Sequence, residues 1–391
     1  MTASPTTPPP LPQTVANWFP LVPRPRPPTI DRRQRLTEIE HLAHSAPGNA
    51  RRTTNAAEAL NKAALLASDC GLPDLAKDLC WRQFHVFDNA GPQPPALATA
   101  VLQPLINLGR LELRADDPDR AYTFFNQIHH AVRTSTAVVL DGVTVNPARL
   151  FADDNTLLRA RRFTWTVLLG DGTRALARAG RWDDAVAHLH RHHGIGRRLL
   201  DGRQTLILAS HLAGESEAAR TALATSVTPT PWERAVAAVL GILCRHGSEP
   251  QAIGAALDDL RASSRDPTHP VFQNRLGLTL LDLATDATDQ KWIASAILAG
   301  LRDGHDGRCA ADALAHPRLQ QHLSPAHRVD LVERVKTAGI QRPPPTTFRD
   351  AMTTATLAAE RGLRDALAGP LEGGRLITRR PDQSAARGEA G

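Results

Sequence analysis

Three stretches of this chain repeat one layout: ARAGRWDDAVAHL, HLAGESEAARTAL and CRHGSEPQAIGAAL. Their glycines, Gly180, Gly214 and Gly247, stand 34 and 33 residues apart, and an alanine follows each by five positions, at Ala185, Ala219 and Ala252. Two earlier stretches share the layout, with Gly71 before Ala76 in SDCGLPDLAKDLC and Asp116 before Ala121 in LRADDPDRAYTFF. A period of this length restricts the fold more than any other feature of the sequence. A Gly or Asp tolerates the left-handed conformation that ends a helix, and a small alanine lets the next helix approach closely. Each unit therefore reads as a helical hairpin. One hairpin cannot bury its apolar side alone, so several must stack into a continuous core.

The layout resembles the tetratricopeptide repeat (TPR). NLGRLELRADDPDRAYTFF carries a Leu-Gly pair at Leu108 and Gly109, and ARAGRWDDAVAHL carries an aromatic, Trp182, where that family often has one. NRLGLTLLDLATDATDQKW adds a stretched unit through Leu276 and Gly277. The resemblance covers roughly residues 52 to 300 and lacks the Trp of the first helical turn. It implies an all-α fold in which antiparallel helix hairpins stack into a right-handed α-solenoid, with the first helix of each hairpin lining a concave face.

Two spacings are irregular. Gly71 to Asp116 spans 45 residues, and GPQPPAL at 91–97 accounts for the extra loop. Asp116 to Gly180 spans 64 and contains AVVLDGVTVN. Asp141-Gly142 between two β-branched runs signals a two-residue hairpin turn, so a β-hairpin insertion is expected near 138–145, within about 135–148. A lone hairpin is marginal in water, so it either braces the helices or forms an arm toward a partner.

The remaining chain divides by composition. Ten of the first 28 residues are proline, which favours extended, solvated backbone; residues 1–30 are expected to be a disordered Pro-rich tail. Within it, NWFPLVPRPRPP combines Trp18, Phe19, Leu21 and Val22 with Arg24 and Arg26. Trp18, Phe19, Arg24 and Arg26 make either a linear docking motif or a sticky segment that folds back on the body. The repeat domain is expected over 31–340, a C-terminal helix over 346–369, and a disordered Gly/Arg-rich tail over 370–391.

AHLHRHHGIGRR, residues 187–198, places His188 and His192 four apart on one helical face. Metal binding needs a third ligand that the spacing does not supply. Basic side chains at a helix C-terminus, before Gly194 and Gly196, account for the histidines without chemistry. A second stripe is more suggestive. Positions thirteen, six and two before each turn residue share one helix face, and they include Arg110, Arg114, Arg174, Arg178, Arg234 and Arg245. They are either an arginine-lined groove for an acidic peptide, terminal carboxylate or phosphate, or the exposed face of an arginine-rich protein.

Aromatics make up 4% of the chain and lysine occurs only at Lys62, Lys77, Lys291 and Lys336. The first favours helix packing over a β-sandwich. The second fits a GC-rich bacterial genome at least as well as a nucleic-acid surface, since the net charge is only +6. Cys70, Cys80, Cys244 and Cys309 form no CxxC pair, which fits reduced thiols in a cytoplasmic protein. The N-terminus lacks the charged and apolar regions of a secretory signal, and no apolar stretch approaches a membrane span. Phosphate-loop, dinucleotide and nucleophile-elbow motifs are missing. The expected function is non-enzymatic, without cofactor or metal: an adaptor or scaffold that binds a protein or peptide partner, of acidic character if the groove is used. A peptide-sensing regulator acting with a separate DNA-binding chain is one alternative. Direct nucleic-acid binding through the basic surface is another, and self-association stays open.

Overall fold

A computed structural model of the chain describes residues 11–44, 51–244 and 269–368, together with Gly254 and Asp258. The hairpin logic holds at every described turn. Helix α3 (Arg52–Asp69) is followed by α4 (Pro73–Ala90), and α5 (Ala98–Arg114) by α6 (Pro118–Thr134). Further on, α9 (Thr173–Arg178) turns into α10 (Trp182–Arg191), and α11 (Asp201–Leu212) into α12 (Ser216–Ala224). The turn residues Gly71, Asp116, Gly180 and Gly214 all have positive φ, between 62° and 79°. Each turn closes with the same pair of bonds. Leu72 N–H donates to the Ala67 carbonyl and Gly71 N–H to Ser68; Asp117 donates to Glu112 and Asp116 to Leu113. Arg181 donates to Leu176 and Gly180 to Ala177, and Glu215 to Ser210 and Gly214 to His211. This is the Schellman closure, which satisfies the last carbonyls of the first helix. The alanines five residues on, Ala76, Ala121, Ala185 and Ala219, are all fully buried.

Gly109 shows why the Leu-Gly pair matters. A Cβ there would lie 2.5 Å from Phe125 Cε1 on α6, so only glycine lets this ring seat against α5. The fifth unit begins with α13 (Pro231–Cys244); its turn at Gly247, and Ala252, lie outside the described residues.

The irregular spacings prove complementary. β1 (Val138–Leu140) and β2 (Val143–Val145) form the expected antiparallel hairpin, with Asp141 and Gly142 both at positive φ. Leu140 and Val145 are buried against the helices, so the hairpin is a brace. A short helix α7 (Pro147–Leu150) follows. Gln93, in the earlier loop, then donates its N–H to the Leu150 carbonyl and accepts from Ala152 N–H. Each insertion thus satisfies backbone groups of the other.

Helix α8 (Asp154–Val167), capped by the Asp153 side chain, runs without a break through a single π-helical turn, Leu168–Gly172, into α9. Beyond the fifth unit come α14 (Pro270–Leu283), α15 (Ala287–Asp303), α16 (Gly307–Ala315), α17 (Pro317–Gln320) and α18 (Pro325–Ala338). The final helix, α19 (Thr346–Ala368), meets the expectation for 346–369. It packs on α3, α4 and α2 (Arg32–Ala43), at the other end of the sequence. Apart from the one two-stranded sheet, the described residues form an all-α fold. No helix among them is long and apolar enough to cross a membrane.

Residues 11–30 depart from expectation. They are not a disordered tail. A short helix α1 (Gln13–Trp18) packs on α9 and α14, and Val15, Phe19 and Leu21 are buried in one of the two apolar cores. Residues 19–30 form neither helix nor strand, as their proline content leads one to expect. What it misses is that the helices supply partners for that backbone. Residues 1–10 and the expected tail 370–391 lie outside the described residues.

Candidate functional site

The candidate site is the surface over which this N-terminal strap, residues 11–30, lies. It is built from the first helices of successive hairpins and from α14 and α16. Starting at its N-terminal end, Thr14 Oγ1 donates to Asp282 Oδ2 on α14 at 2.8 Å. The Arg275 guanidinium stacks over the Trp18 ring, 5.5 Å from its centroid. Phe19 has no solvent exposure. Gln204, fully buried on α11, then reads the strap backbone: its Oε1 accepts from Leu21 N–H at 2.8 Å and its Nε2 donates to the Leu21 carbonyl at 3.0 Å. A side-chain amide meeting both backbone polar groups of one residue imitates a neighbouring β-strand.

Arg24 comes next. Its Nη2 donates to Asp201 Oδ1 at 2.7 Å, and its Nη1 lies 3.6 Å from Asp171 Oδ1. Burial opposes its charge, but Asp201 and Asp171 outweigh that and raise its pKa. Asp171 sits in the π-helical turn. That turn also contains Gly170, where a Cβ would fall 2.5 Å from Arg24 Nη1. The widened turn and the missing side chain together open the space that the guanidinium fills. π-turns of this kind recur at functional positions. Two residues on, Arg26 reaches toward Asp69 at 3.9 Å. Thr29 N–H donates to Asp306 Oδ2, and the Thr29 carbonyl accepts from Gly307 N–H at 2.7 Å.

Four of the six arginines expected to face a partner groove hold groups of the chain itself. Arg110 holds Asp171 Oδ2 through Nε and Nη2, at 3.0 and 2.8 Å. Arg174 donates to the Pro20 carbonyl of the strap at 3.4 Å and lies 3.6 Å from Asp171. Arg114 donates to Ser68 Oγ and Asp69 Oδ1, while Arg178 donates to the Leu113 carbonyl and to Asp116 Oδ1. Arg114 and Arg178 each stand two residues before their own turn, and each reaches back to the end of the preceding unit's first helix. They staple consecutive hairpins. Arg234 is exposed on α13, and Arg245 lies outside the described residues.

Asp171 and Asp69, which face the strap, are both shifted downward. Burial alone would push the Asp171 carboxyl up; Arg110, Arg24 and Arg174 overcome this and hold it below the usual range. Asp69 is held down in the same way by Arg114, Arg35, Arg26 and Arg308. Arg174, pressed by burial and by Arg24, falls to about 10. The stripe of arginines was legible in the sequence. Asp69 and Asp201 fall on the same stripe, two and thirteen residues before Gly71 and Gly214; Asp171 was not legible, because it faces inward through the π-turn.

The histidines gather behind the same turn. His188 is buried, with Nδ1 3.1 Å from Tyr122 Oη and Nε2 3.2 Å from the Leu168 carbonyl. A carbonyl only accepts, so Nε2 carries the proton and Nδ1 accepts from the tyrosine. The His192 ring lies 4.8 Å from that of His188 and 5.6 Å from that of His129. Burial pushes both His129 and His188 down to about 4. With both His188 nitrogens engaged, the His188–His192 pair is not arranged as a metal site; no metal-binding group of three or more ligands occurs among the described residues. The helix ends at Arg191, and the left-handed position falls on His193 (φ 53°) rather than on Gly194 or Gly196. Gly202 is needed for close approach: a Cβ there would lie 2.2 Å from the Gly194 carbonyl oxygen, and a Cβ on Gly194 would lie 2.6 Å from Leu169 Cδ2.

The four cysteines are free and buried, and burial raises Cys80 to about 12 and Cys244 to about 11. Comparison with protein-family models, with curated proteins and with solved structures gives no match for this chain.

Proposed function

We propose that this chain is a non-enzymatic scaffold, a bacterial cytoplasmic adaptor of TPR-like α-solenoid type, whose inner face receives an extended peptide segment. One observation carries the reading. That face already holds such a segment, residues 11–30, through a buried aromatic, a side-chain amide on a backbone unit and arginine–carboxylate pairs. These are the elements by which helical arrays recognise linear motifs: apolar anchors for affinity, backbone and charge contacts for register.

The strap also indicates the partner's chemistry. It brings cations to Asp69, Asp171 and Asp201. A partner entering the same face is therefore a Pro-containing segment with apolar anchors and arginine or lysine, in place of the acidic one that the arginine stripe alone would favour. The test is a labelled peptide of residues 11–30 titrated against the chain beginning at residue 31. Saturable binding there, and at least tenfold weaker binding to the full chain, is the expected result. Absence of binding to a truncated chain that keeps its helical spectrum and cooperative unfolding would end the proposal.

A further inference from the structure

Asp69 ends α3 with a fully buried carboxylate, and four guanidiniums converge on it. Arg35 of α2 stands 2.9 Å away, Arg114 of α5 3.0 Å, Arg308 of α16 3.4 Å and Arg26 of the strap 3.9 Å. The other carboxylate close by, Asp306, is committed to backbone: Oδ1 accepts from Arg308 and Cys309 N–H, and Oδ2 from Thr29 N–H. Four cations against two anions leave a local charge of +2. An uncompensated charge is expensive in a crowded protein environment. The strain registers on the arginines: burial first, then repulsion by Arg26 and Arg308, brings Arg114 down to about 10, and Arg26 is lowered as well.

Hydrogen bonding points the same way. Arg35 exposes 7% of its side chain, and its Nη1 is buried without a partner, while its Nη2 holds Asp69. Buried donors are nearly always paired, so an orphan beside surplus positive charge marks a missing acceptor. Three members of the cluster reach solvent: the side chains of Arg26, Arg114 and Arg308 are 28%, 33% and 22% exposed. Guanidinium forks that converge on one point suit an oxyanion that accepts several bonds at once.

We propose that the Arg26–Arg35–Arg114–Arg308 cluster is a binding site for a phosphate-type dianion, either free phosphate or the phosphate of a small monoester. Two charges neutralise the excess, and the oxyanion's oxygens take up donors that Asp69 alone leaves unused. Because Arg26 belongs to the strap and the others to helices, the bound dianion fastens the strap in place.

The full chain is titrated with inorganic phosphate and with glycerol 3-phosphate by calorimetry, at constant ionic strength against chloride. Thermal midpoints and protease cleavage within residues 11–30 are followed in parallel. Saturable phosphate binding, a midpoint that climbs with phosphate concentration as linkage requires, and slower strap cleavage are expected. Uptake of glycerol 3-phosphate as well identifies the monoester as the source; uptake of phosphate alone identifies the free ion. Arg114→Gln and Arg308→Gln each weaken binding at least tenfold, while Arg120→Gln, outside the cluster, leaves it unchanged. The unsubstituted chain decides the matter even if those variants fail to fold. No saturable heat, or a midpoint that chloride raises equally, overturns the site.

Discussion

His188 is held neutral by what surrounds it: a carbonyl takes its one proton and a tyrosine hydroxyl fills its other nitrogen. His188 and His129 are both lowered from 6.5 to about 4. In that interval the unfolded chain binds protons that the folded chain refuses, so acid favours unfolding. Stability is therefore at its plateau above about pH 6.5 and declines as the pH falls toward 4. Denaturant midpoints measured at pH 7, 6 and 5 check this. His188→Gln starts from a lower stability but shows a shallower decline; an unchanged slope in that variant would mean that other groups carry the effect. The sequence displayed the histidines but not this arrangement. Tyr122 and His129 come from α6, and the carbonyl of Leu168 points at His188 within a π-turn that no local pattern announces. Gly170 and Asp171 were equally silent for the same reason.

Among elements, the turns were the most legible because their chemistry is local. A left-handed residue followed five positions later by a small one marks the hairpin at Gly71, Asp116, Gly180 and Gly214. Gly180 takes φ 72° with nothing within 4 Å of a Cβ position, so the cost of a side chain there is purely conformational. Gly180→Ala is expected to lower stability by about 1–2 kcal/mol, read from chemical denaturation. Asp116, which holds the same conformation at φ 62°, already bears that cost in the native chain, partly offset by its ion pair with Arg178 at 2.6 Å. The β-hairpin was legible from Asp141-Gly142 and the β-branched runs on either side of it. Its role as a brace was not, because it depends on where α6 and the Gln93 loop lie.

At the scale of the whole molecule, sequence reading failed where contacts join distant positions. Thr14 meets Asp282, Arg24 meets Asp201, and Asp69 accepts from Gln341 N–H through its carbonyl at 2.8 Å. Proline content described the strap's backbone, and Trp18-Phe19 hinted at its burial, but neither identifies the receiving surface. The strap is part of a core, so Phe19→Ala is expected to cost about 3–5 kcal/mol of unfolding free energy. A loss below about 1 kcal/mol would mean that residues 11–30 open before the helices do.

The strap passes directly into α2, whose first turn Asp31 caps through the N–H groups of Arg33 and Gln34. It is thus tethered at the edge of its own binding surface, and its return after any opening is intramolecular. Such linkage corresponds to an effective concentration on the order of millimolar. A free competitor with merely equal contacts would lose to it at cellular abundance. If the proposed function holds, productive partners must bring either several copies of the motif side by side or a foothold beyond the strap's reach, and the N-terminal segment then acts as a threshold that filters weak and solitary ligands.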